Sequence, residues 1–289
     1  LTYRVANLIE HNVPAWSILA LTFTNKAARE MKERVEKLIG KEQSEQAWIS
    51  TFHSTCARIL RRDIEKLGYS RSFTIYDDDD QQRLLKDIFK QLNIDDKYLP
   101  VREVKAKISD AKNKMMTADE WFAKSSRDRR NSLIHDVMTV YEQKLKLLNS
   151  LDFDDLLLKT LELLADHPPV LEAYRRRFRY VLVDEYQDTN RTQYELVRLL
   201  TAESRNLCVV GDDDQSIYGW RGADIRNILD FEKDYPDATV IKLEQNYRST
   251  GTILDAANQV IANNESRKDK KLWTEKDDGE KILLYCAQD

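Results

Sequence analysis

The sequence alternates between short apolar runs, bounded by turn residues, and longer segments in which apolar residues recur with a helical period. This alternation predicts an α/β fold, because parallel strands require crossover connections and helices then cover both faces of the sheet. The predicted strands are residues 17–23, 47–51, 179–185, 206–212, 239–245 and 281–286. The predicted helices around them are residues 25–39, 53–67, 152–165 and 190–200, with Asn25 as the amino-terminal cap of the first.

The alternation stops between residues 77 and 150, where every segment has a helical pattern. Four consecutive aspartates at residues 77–80 open this stretch, and carboxylates stabilise the positive end of a helix dipole. A metal site there is the weaker interpretation, because the run has no glycine to fold it around an ion. The sequence thus predicts an all-helical insertion in the α/β body, with helices at residues 77–91, 101–112, 118–124 and 131–149.

Glycine and proline are scarce, with 7 and 5 residues in a chain of 289. Long helices fit this composition, whereas sandwiches and barrels need frequent turns, so an all-β fold is excluded. The length exceeds the roughly 100–200 residues of a typical domain. We therefore expect two compact bodies, or one body interrupted by an insertion.

Signals for membrane insertion or export are missing from the sequence. Its apolar runs are shorter than the ~18 residues of a membrane span, and the first residues lie within an amphipathic pattern rather than a charged leader. The 3 cysteines, Cys56, Cys208 and Cys286, are far apart, which suits free thiols in a reducing cytosol rather than a disulfide or zinc framework. We expect a soluble, cytoplasmic protein with no membrane partner.

Charge is unevenly distributed along the chain. The formal net charge is −4, yet residues 1–150 carry 27 lysines and arginines against 22 acidic residues, and residues 151–289 carry 19 against 28. The first half is therefore the part that a polyanion would approach more readily.

The most informative motif is an apolar strand that ends in two carboxylates, in the sequence YVLVDEYQDTN at residues 180–190. Asp184 and Glu185 follow the strand directly, so they lie at the carboxyl edge of a parallel sheet, where α/β proteins bind ligands. In nucleotide hydrolysis one such carboxylate holds Mg²⁺ and another takes a proton from the attacking water. For a lone Asp-Glu pair, an acidic turn would be the better interpretation, but the whole run is more specific.

A second strand runs into a polar, glycine-rich loop at residues 211–223. Gln215 in this loop can lie beside whatever the two carboxylates bind. Tyr218 and Trp220 alternate with small and basic residues, including Arg221, an arrangement suited to stacking nucleic-acid bases beside a positive charge. Buried core aromatics are the alternative, although a core strand would not place glycines around its tryptophan.

Three further segments join a predicted strand to polar or aromatic residues. Residues 243–250 carry Tyr247, which could stack on a base, and Arg248, which could stabilise phosphoryl charge. Residues 19–30 and 51–54 each join a strand to a helix start, where amides and hydroxyls bind phosphates. For His53 in the latter, a phosphate or base contact or a plain helix cap is the better interpretation, and a catalytic base is the weaker one because no nucleophile is nearby.

In this order, five segments resemble the superfamily 1 DNA helicases of the UvrD/Rep/PcrA group. The segments are TFTNKAAREM (22–31), WISTFHS (48–54), VDEYQDTN (183–190), VGDDDQSIYGWRGA (210–223) and LEQNYRST (243–250). The resemblance implies a RecA-like domain, called 1A, that a helical domain, called 1B, interrupts. The implied boundaries are residues 1–73 and 151–246 for 1A, 74–150 for 1B, and 247–289 for the hinge and the start of a second RecA-like domain, 2A.

The resemblance also implies roles for individual residues, with ATP and Mg²⁺ as cofactors. Asp184 would ligate Mg²⁺, Glu185 would be the general base, and Gln215 would sense the γ-phosphate. Arg248 would be an arginine finger, and Tyr247 would stack on the adenine. The implied DNA-binding residues are Thr22, Phe23, Asn25, Phe52, His53, Tyr218, Trp220 and Arg221.

The implied function is an ATP-dependent 3′-to-5′ DNA helicase that acts on single-stranded DNA and single-strand/duplex junctions, in contact with repair or replication proteins. The family's phosphate loop, GxxxxGK[ST], does not occur in this sequence, and only the start of domain 2A is expected here. We therefore expect the chain to be a fragment that hydrolyses ATP negligibly by itself. Two alternatives stay open, a stand-alone single-strand-binding or interaction module and the helicase subunit of a nuclease complex.

Overall fold

A four-stranded parallel sheet lies at the centre of the protein. The computed structural model describes residues 1–264 and 270–286, apart from the side chain of Arg221. The strands of this described part are β1 (Ile18–Thr22), β2 (Trp48–Thr51), β3 (Thr74–Ile75), β4 (Ser150–Leu151), β5 (Tyr180–Val183) and β6 (Leu207–Val209). The central sheet has the order β2-β1-β5-β6, and each neighbouring pair is parallel. The predicted α/β fold class is confirmed.

Helices connect the strands and supply most of the remaining regular structure. Short 3₁₀ turns occur at several junctions, and one of them, Ile64–Leu67, forms the end of the helix predicted at residues 53–67. The helices are α1 (Thr2–Glu10), α2 (Asn25–Ile39), α3 (Lys41–Gln46), α4 (Phe52–Asp63), α5 (Asp78–Gln91), α6 (Val101–Asn113), α7 (Ala118–Lys124), α8 (Arg129–Leu147), α9 (Phe153–Asp166), α10 (Pro168–Arg177), α11 (Arg191–Thr201), α12 (Arg226–Leu229), α13 (Phe231–Asp234) and α14 (Gly251–Ile261).

Strand β1 is buried on both faces, which explains its continuous apolar sequence. Ile18 and Ala20 point into a core that also contains Val5 of α1 and Val35 of α2. The alternate residues of β1 point into the larger core on the other face, with side chains from α4, α9 and α11. The period of two along the strand therefore divides one apolar run between two helical layers.

The stretch predicted to be a helical insertion contains α5, α6, α7 and α8, which share a core of their own. Strands β3 and β4 form a separate two-stranded parallel ladder, in which Thr74 pairs with Ser150. The chain thus leaves the sheet body and returns to it at adjacent points. The sequence patterns did not predict this ladder, because two residues are too few to show a strand period. The domain boundaries at residues 74 and 150 stay predictions.

Aspartate and threonine caps fix several helix starts. Asp77 accepts from the backbone N–H of Asp80, whose side chain returns a bond to the backbone N–H of Asp77, so the aspartate run opens α5 as predicted. The predicted cap of α2 is wrong by one residue. The side chain of Thr24 accepts from the N–H of Ala27, and Asn25 is the first helical residue. Threonine at position 24 has the extended backbone that a cap requires.

Two predicted strands are not found. Residues 239–245 and 281–286 are irregular, apart from an isolated bridge between Gln245 and Trp273. Their apolar side chains face solvent, and Leu283 is 93% exposed. An apolar alternation forms a stable strand only when a neighbouring strand pairs with it, and the described residues provide none at these positions.

Two other features of the described residues bear on sequence predictions. No helix there combines the length and the apolar character that crossing a membrane requires. Cys56, Cys208 and Cys286 are free thiols, and burial raises the pKa of the Cys56 thiol to about 12.

A buried ion cluster joins the insertion to the sheet body. Lys112, near the end of α6, places its Nζ 2.7 Å from Asp152 Oδ2 and 2.8 Å from Asp155 Oδ1, at the start of α9. Tyr141 of α8 donates to the same Asp152 oxygen over 3.1 Å. The four side chains are almost fully buried. Charges in such surroundings are tolerated when opposite charges pair and hydrogen bonds satisfy them, as Lys112 and Tyr141 do here.

We predict that Lys112→Ala lowers the free energy of unfolding by about 3–5 kcal/mol, because it leaves two buried carboxylates uncompensated. Urea denaturation followed by circular dichroism measures the change. Lys114→Ala, at the residue directly after the same helix, is the control, since Lys114 pairs with Asp110 at the surface and its loss should cost less than about 1 kcal/mol. Equal losses for the two variants would contradict the structural role of the cluster.

Candidate nucleotide and nucleic-acid site at the carboxyl edge

The carboxyl ends of the four central strands lie along one edge of the sheet, here called the carboxyl edge. Thr22 and Thr51 end β1 and β2 and are register partners. Strand β5 ends at Val183 and β6 at Val209, and these two residues are also partners. Parallel pairing therefore gathers the four loops that follow these residues, which contain most of the predicted site residues.

Asp184 and Glu185 occupy the turn that follows β5. The Asp184 N–H donates to the carbonyl of Leu21 over 2.9 Å, which continues the ladder with β1. Glu185 has a left-handed backbone, with φ +52°, before the 3₁₀ turn Tyr186–Asp188. This conformation costs a residue with a side chain roughly 1–2 kcal/mol. The turn separates the two carboxylates, leaving Asp184 half-buried and Glu185 exposed.

The environment of Asp184 raises its pKa. Burial is the main cause, and the charge of Glu185 adds to it. A divalent cation would relieve both effects, because it attracts the ionised carboxylate and screens the repulsion between the pair. The carboxylate donor set thus fits Mg²⁺, for which oxygen is the preferred ligand atom.

Gln187 links this turn to the loop that follows β6, and sequence reasoning assigned it no role. Its amide Nε2 donates to Glu185 Oε2 over 2.9 Å, and its Oε1 accepts from the backbone N–H of Asp212 over 3.0 Å. The side chain is almost fully buried. A glutamine two residues after an acidic pair is the signal that could have drawn attention to it.

Gly211 makes room for this contact. A Cβ atom at position 211 would lie 2.6 Å from Gln187 Oε1 and 2.8 Å from Ile228 Cδ1. Both separations are far below van der Waals contact, so a larger residue would push the amide away. The glycine is therefore required by the close approach of the two loops.

Gln215, the predicted phosphate sensor, lies in a short 3₁₀ turn, Asp213–Gln215. Its Nε2 donates to Asp212 Oδ2 over 2.6 Å. Lys270 forms ion pairs with the carboxylates of Asp212, Asp213 and Asp214. These three carboxylates are close enough together to hold a cation, but the ammonium group of Lys270 already provides the positive charge.

Three aromatic side chains from two loops form what we call the aromatic strip, namely Phe23, Tyr218 and Trp220. Phe23 follows β1 and stacks on Tyr218, with ring centroids 5.3 Å apart and planes 24° apart. Tyr218 in turn contacts Trp220 at 6.4 Å. Trp220 is 75% exposed, so it is not a core residue. A strip of ring faces at the surface is suited to stacking bases.

The loop that carries the strip closes through Gly222, which has φ +84° and lies next to Asn113 at the end of α6. The Asn113 Oδ1 accepts from Asn190 Nδ2 over 2.7 Å. Asn190 also forms an isolated bridge with Ala223. The end of α6 therefore contacts the segments that follow both β5 and β6.

The loops after β1 and β2 bring two helix starts together. Thr24 caps α2, and Thr51 caps α4 by accepting from the Ser54 N–H. The Thr51 hydroxyl is also 3.4 Å from Asn25 Oδ1. Thr22 is buried, with its hydroxyl bonded to the Thr24 carbonyl, whereas Asn25 is exposed. Adjacent helix amino termini favour a bound phosphate.

Phe52 and His53 are adjacent in sequence but differ in burial. Phe52 is 2% exposed and belongs to the main core, so its ring has no face for a base and the prediction that it contacts DNA is corrected. His53 is half-buried and meets the edge of Phe153 at 5.8 Å. Burial lowers the pKa of His53, which favours a neutral ring that can stack or donate one hydrogen bond.

Tyr247 and Arg248 are exposed and make local contacts. The Tyr247 hydroxyl donates to Gln245 Oε1 over 2.7 Å, and the Arg248 N–H donates to Asn246 Oδ1 over 2.9 Å. Among the hydrogen bonds and ion pairs of residues 1–264 and 270–286, none joins either residue to Glu185. The side chain of Arg221 lies outside the described part of the structure.

The parallel sheet and the polar loops at its carboxyl edge define an α/β protein whose candidate site lies where such folds bind ligands. Comparison with known families makes this class specific. Residues 1–236 match the model of the UvrD/REP helicase N-terminal domain, and residues 241–289 match that of the UvrD-like helicase C-terminal domain. The chain belongs to the UvrD/REP helicase family.

Individual relatives agree with this assignment. The chain is 56% identical over 286 residues to the ATP-dependent DNA helicase PcrA of Bacillus subtilis (strain 168). It is 54% identical over 288 residues to the protein of the same name from Staphylococcus aureus (strain Mu50). Each match covers 99% of this chain but 38% and 39% of the relative, so the chain spans about two fifths of the length of these relatives.

Burial separates two aromatic residues that the sequence had grouped together, and we predict opposite effects on stability. Phe52→Ala should lower the free energy of unfolding by about 3–5 kcal/mol, because it leaves a cavity in the main core. Trp220→Ala should change it by less than about 1 kcal/mol, as expected for a surface position. Urea denaturation of both variants tests this, and a large loss for Trp220→Ala would show that its ring is a packing residue.

Proposed function

We propose that the chain is part of an ATP-dependent DNA helicase that couples ATP hydrolysis to 3′-to-5′ movement along single-stranded DNA. The observation that carries the proposal is the placement of a carboxylate pair and an aromatic strip on neighbouring loops of one sheet edge. Family membership supports the choice of ATP and DNA as ligands. The direction of movement rests on the family resemblance.

In this proposal the carboxylate pair performs the hydrolysis chemistry. Asp184 would hold Mg²⁺, and the ion would supply positive charge to stabilise the phosphate oxygens during hydrolysis. Glu185, exposed beside it, accepts the proton of the attacking water. Gln215 reads the γ-phosphate from the neighbouring loop. Arg248 and Tyr247 reach the nucleotide when a second RecA-like domain, starting at residue 247, closes on the first.

The aromatic strip forms the DNA track in this proposal. Bases stack on Phe23, Tyr218 and Trp220, while Asn25 and the capped start of α2 contact backbone phosphates. His53 and Arg221 complete the predicted contact set, and the buried Thr22 contributes by holding the turn before α2 through its bond to the Thr24 carbonyl. Sequence-independent stacking suits a protein that must pass over any sequence, because every base has a flat face.

A second candidate function is a single-strand-binding module without ATPase activity. The observation in its favour is the aromatic strip, whose three rings are in contact with one another in the structure. The two functions differ in one measurement. The module binds single-stranded DNA without DNA-stimulated ATP turnover, in this chain and in the whole protein alike.

We predict that Glu185→Gln in the whole protein lowers ATP turnover by about 10²–10⁴-fold and retains binding of ATP and DNA. The amide keeps the shape of the carboxylate but cannot accept the proton of the water. Steady-state phosphate release and nucleotide titration measure the two properties. Glu203→Gln, in the exposed turn that follows α11, is the control that should leave turnover unchanged. Normal turnover in Glu185→Gln would exclude Glu185 as the base.

We predict that Trp220→Ala in this chain weakens binding of a labelled oligothymidylate by about 1–3 kcal/mol, the usual contribution of one base–aromatic stack. Fluorescence anisotropy gives the affinity. Trp16→Ala is the matched control, because Trp16 is also exposed but precedes β1 at the opposite edge of the sheet. Equal affinities for Trp220→Ala and the unaltered chain would contradict the proposal that the aromatic strip binds DNA.

A further inference from the structure

Gln187 is the one side chain whose amide bonds both to the carboxylate of Glu185 and to the loop of the aromatic strip, within the residues that the structure describes. It is 1% exposed. Its Nε2 donates to Glu185 over 2.9 Å, and its Oε1 accepts from the Asp212 N–H over 3.0 Å. Its own carbonyl lies 3.4 Å from the hydroxyl of Ser216, two residues before Tyr218. Each contact reaches a segment that the proposed function assigns to ATP or to DNA.

We propose that Gln187 is a positioning residue that orients the Glu185 carboxylate according to the position of the loop at residues 210–223. This inference rests on the proposed function and deepens it. Occupation of the aromatic strip by DNA sets the position of the Asp212 N–H. When that N–H moves, the hydrogen bond moves the amide of Gln187 with it. The second hydrogen bond of the amide then reorients the Glu185 carboxylate.

The geometry supports such a transfer because the amide is planar. Its oxygen and nitrogen belong to one rigid group, so a rotation that keeps Oε1 on the Asp212 N–H also moves Nε2 at Glu185. Hydrogen bonds weaken steeply with misalignment and are lost beyond about 3.5 Å, so small loop shifts are sufficient. Gly211 lets the loop approach the amide this closely, since a Cβ there would lie 2.6 Å from Oε1.

The polar surroundings favour an amide at this position over a carboxylate. Asp188 Oδ2 is 3.4 Å from the same Nε2, and Asp188 Oδ1 is buried without a partner among the described atoms. Burial raises the pKa of Asp188, and the charge of Glu185 adds to this effect. A neutral donor that faces two carboxylates can stabilise either of them, and it bonds to Glu185 at the shorter distance.

The test compares Gln187→Met and Gln187→Glu with the unaltered whole protein. Methionine fills a similar volume and forms neither bond, so Gln187→Met should lower DNA-stimulated kcat by about 10²-fold, the usual effect of a misplaced catalytic group. KM for ATP and the affinity for oligothymidylate should not change, because neither ligand contacts Gln187. Gln82→Met makes the same change on the exposed side of α5 and is the control, because it should leave kcat unchanged.

Gln187→Glu adds a signature that a purely structural role would not produce. The new carboxyl would face the carboxylates of Glu185 and Asp188 on its own segment and the backbone N–H of Asp212 on the other. The two carboxylates would raise its pKa. When protonated, it offers one donor and one acceptor, as the amide does. Its kcat relative to the unaltered protein should therefore rise as the pH falls, while the same ratio for Gln187→Met stays flat.

Gly211→Ala provides an independent route, because its methyl group would displace the amide without changing it. It should lower DNA-stimulated kcat as Gln187→Met does, with the same ATP KM. Full DNA stimulation in Gln187→Met would overturn the proposal, as would a kcat loss accompanied by lost DNA affinity or a lower melting temperature. Absence of DNA-stimulated turnover in the unaltered whole protein would instead overturn the proposed function, and this inference with it.

Discussion

Parallel pairing of β1 with β2 and β5, and of β5 with β6, is the constraint on which the rest of the structure depends. It makes the strand ends coincide at one edge, so segments that are 160 residues or more apart in sequence become neighbours. The stacking of Phe23 on Tyr218 follows from this arrangement. Antiparallel pairing would alternate the loops between two edges and separate the carboxylate pair from the aromatic strip. The site is thus a consequence of strand direction before any side-chain chemistry is considered.

The helical insertion is held at the same edge by two consecutive residues of α6. Lys112 is buried in an ion cluster with α9, and Asn113 contacts both Asn190 and the turn at Gly222. A buried charge that is neutralised on several sides is costly to displace, so it sets the position of the helix. Asn113 therefore contacts the loops of the site from a helix whose position is fixed. The insertion therefore has a structural connection to the site that does not depend on its other helices.

Sequence patterns predicted the elements in which apolar residues recur with a regular period. The helical periods around α2, α7 and α9 gave bounds within a residue of those observed, because each helix has one apolar face and a recognisable start. The prediction of strands at residues 239–245 and 281–286 was wrong. Alternation of apolar and polar residues indicates a tendency to form a strand, but a strand also needs a partner to pair with. Phe52 and Trp220 show the same limit within the site. Both are aromatic residues after a strand, yet one is in the core and the other is exposed, and long-range packing decides between these outcomes.

The site also contains conformations that local preference opposes, and the surrounding contacts explain why they persist. Glu185 adopts a left-handed backbone that favours glycine, and the turn after it is held by the Tyr186 N–H, which donates to the Val210 carbonyl over 2.9 Å. Tyr186 itself is buried against Phe231. The core therefore offsets a local cost of roughly 1–2 kcal/mol. Because the strain lies on the residue beside Asp184 rather than on Asp184, the half-buried carboxylate keeps its place in the sheet ladder while its neighbour turns outward to solvent.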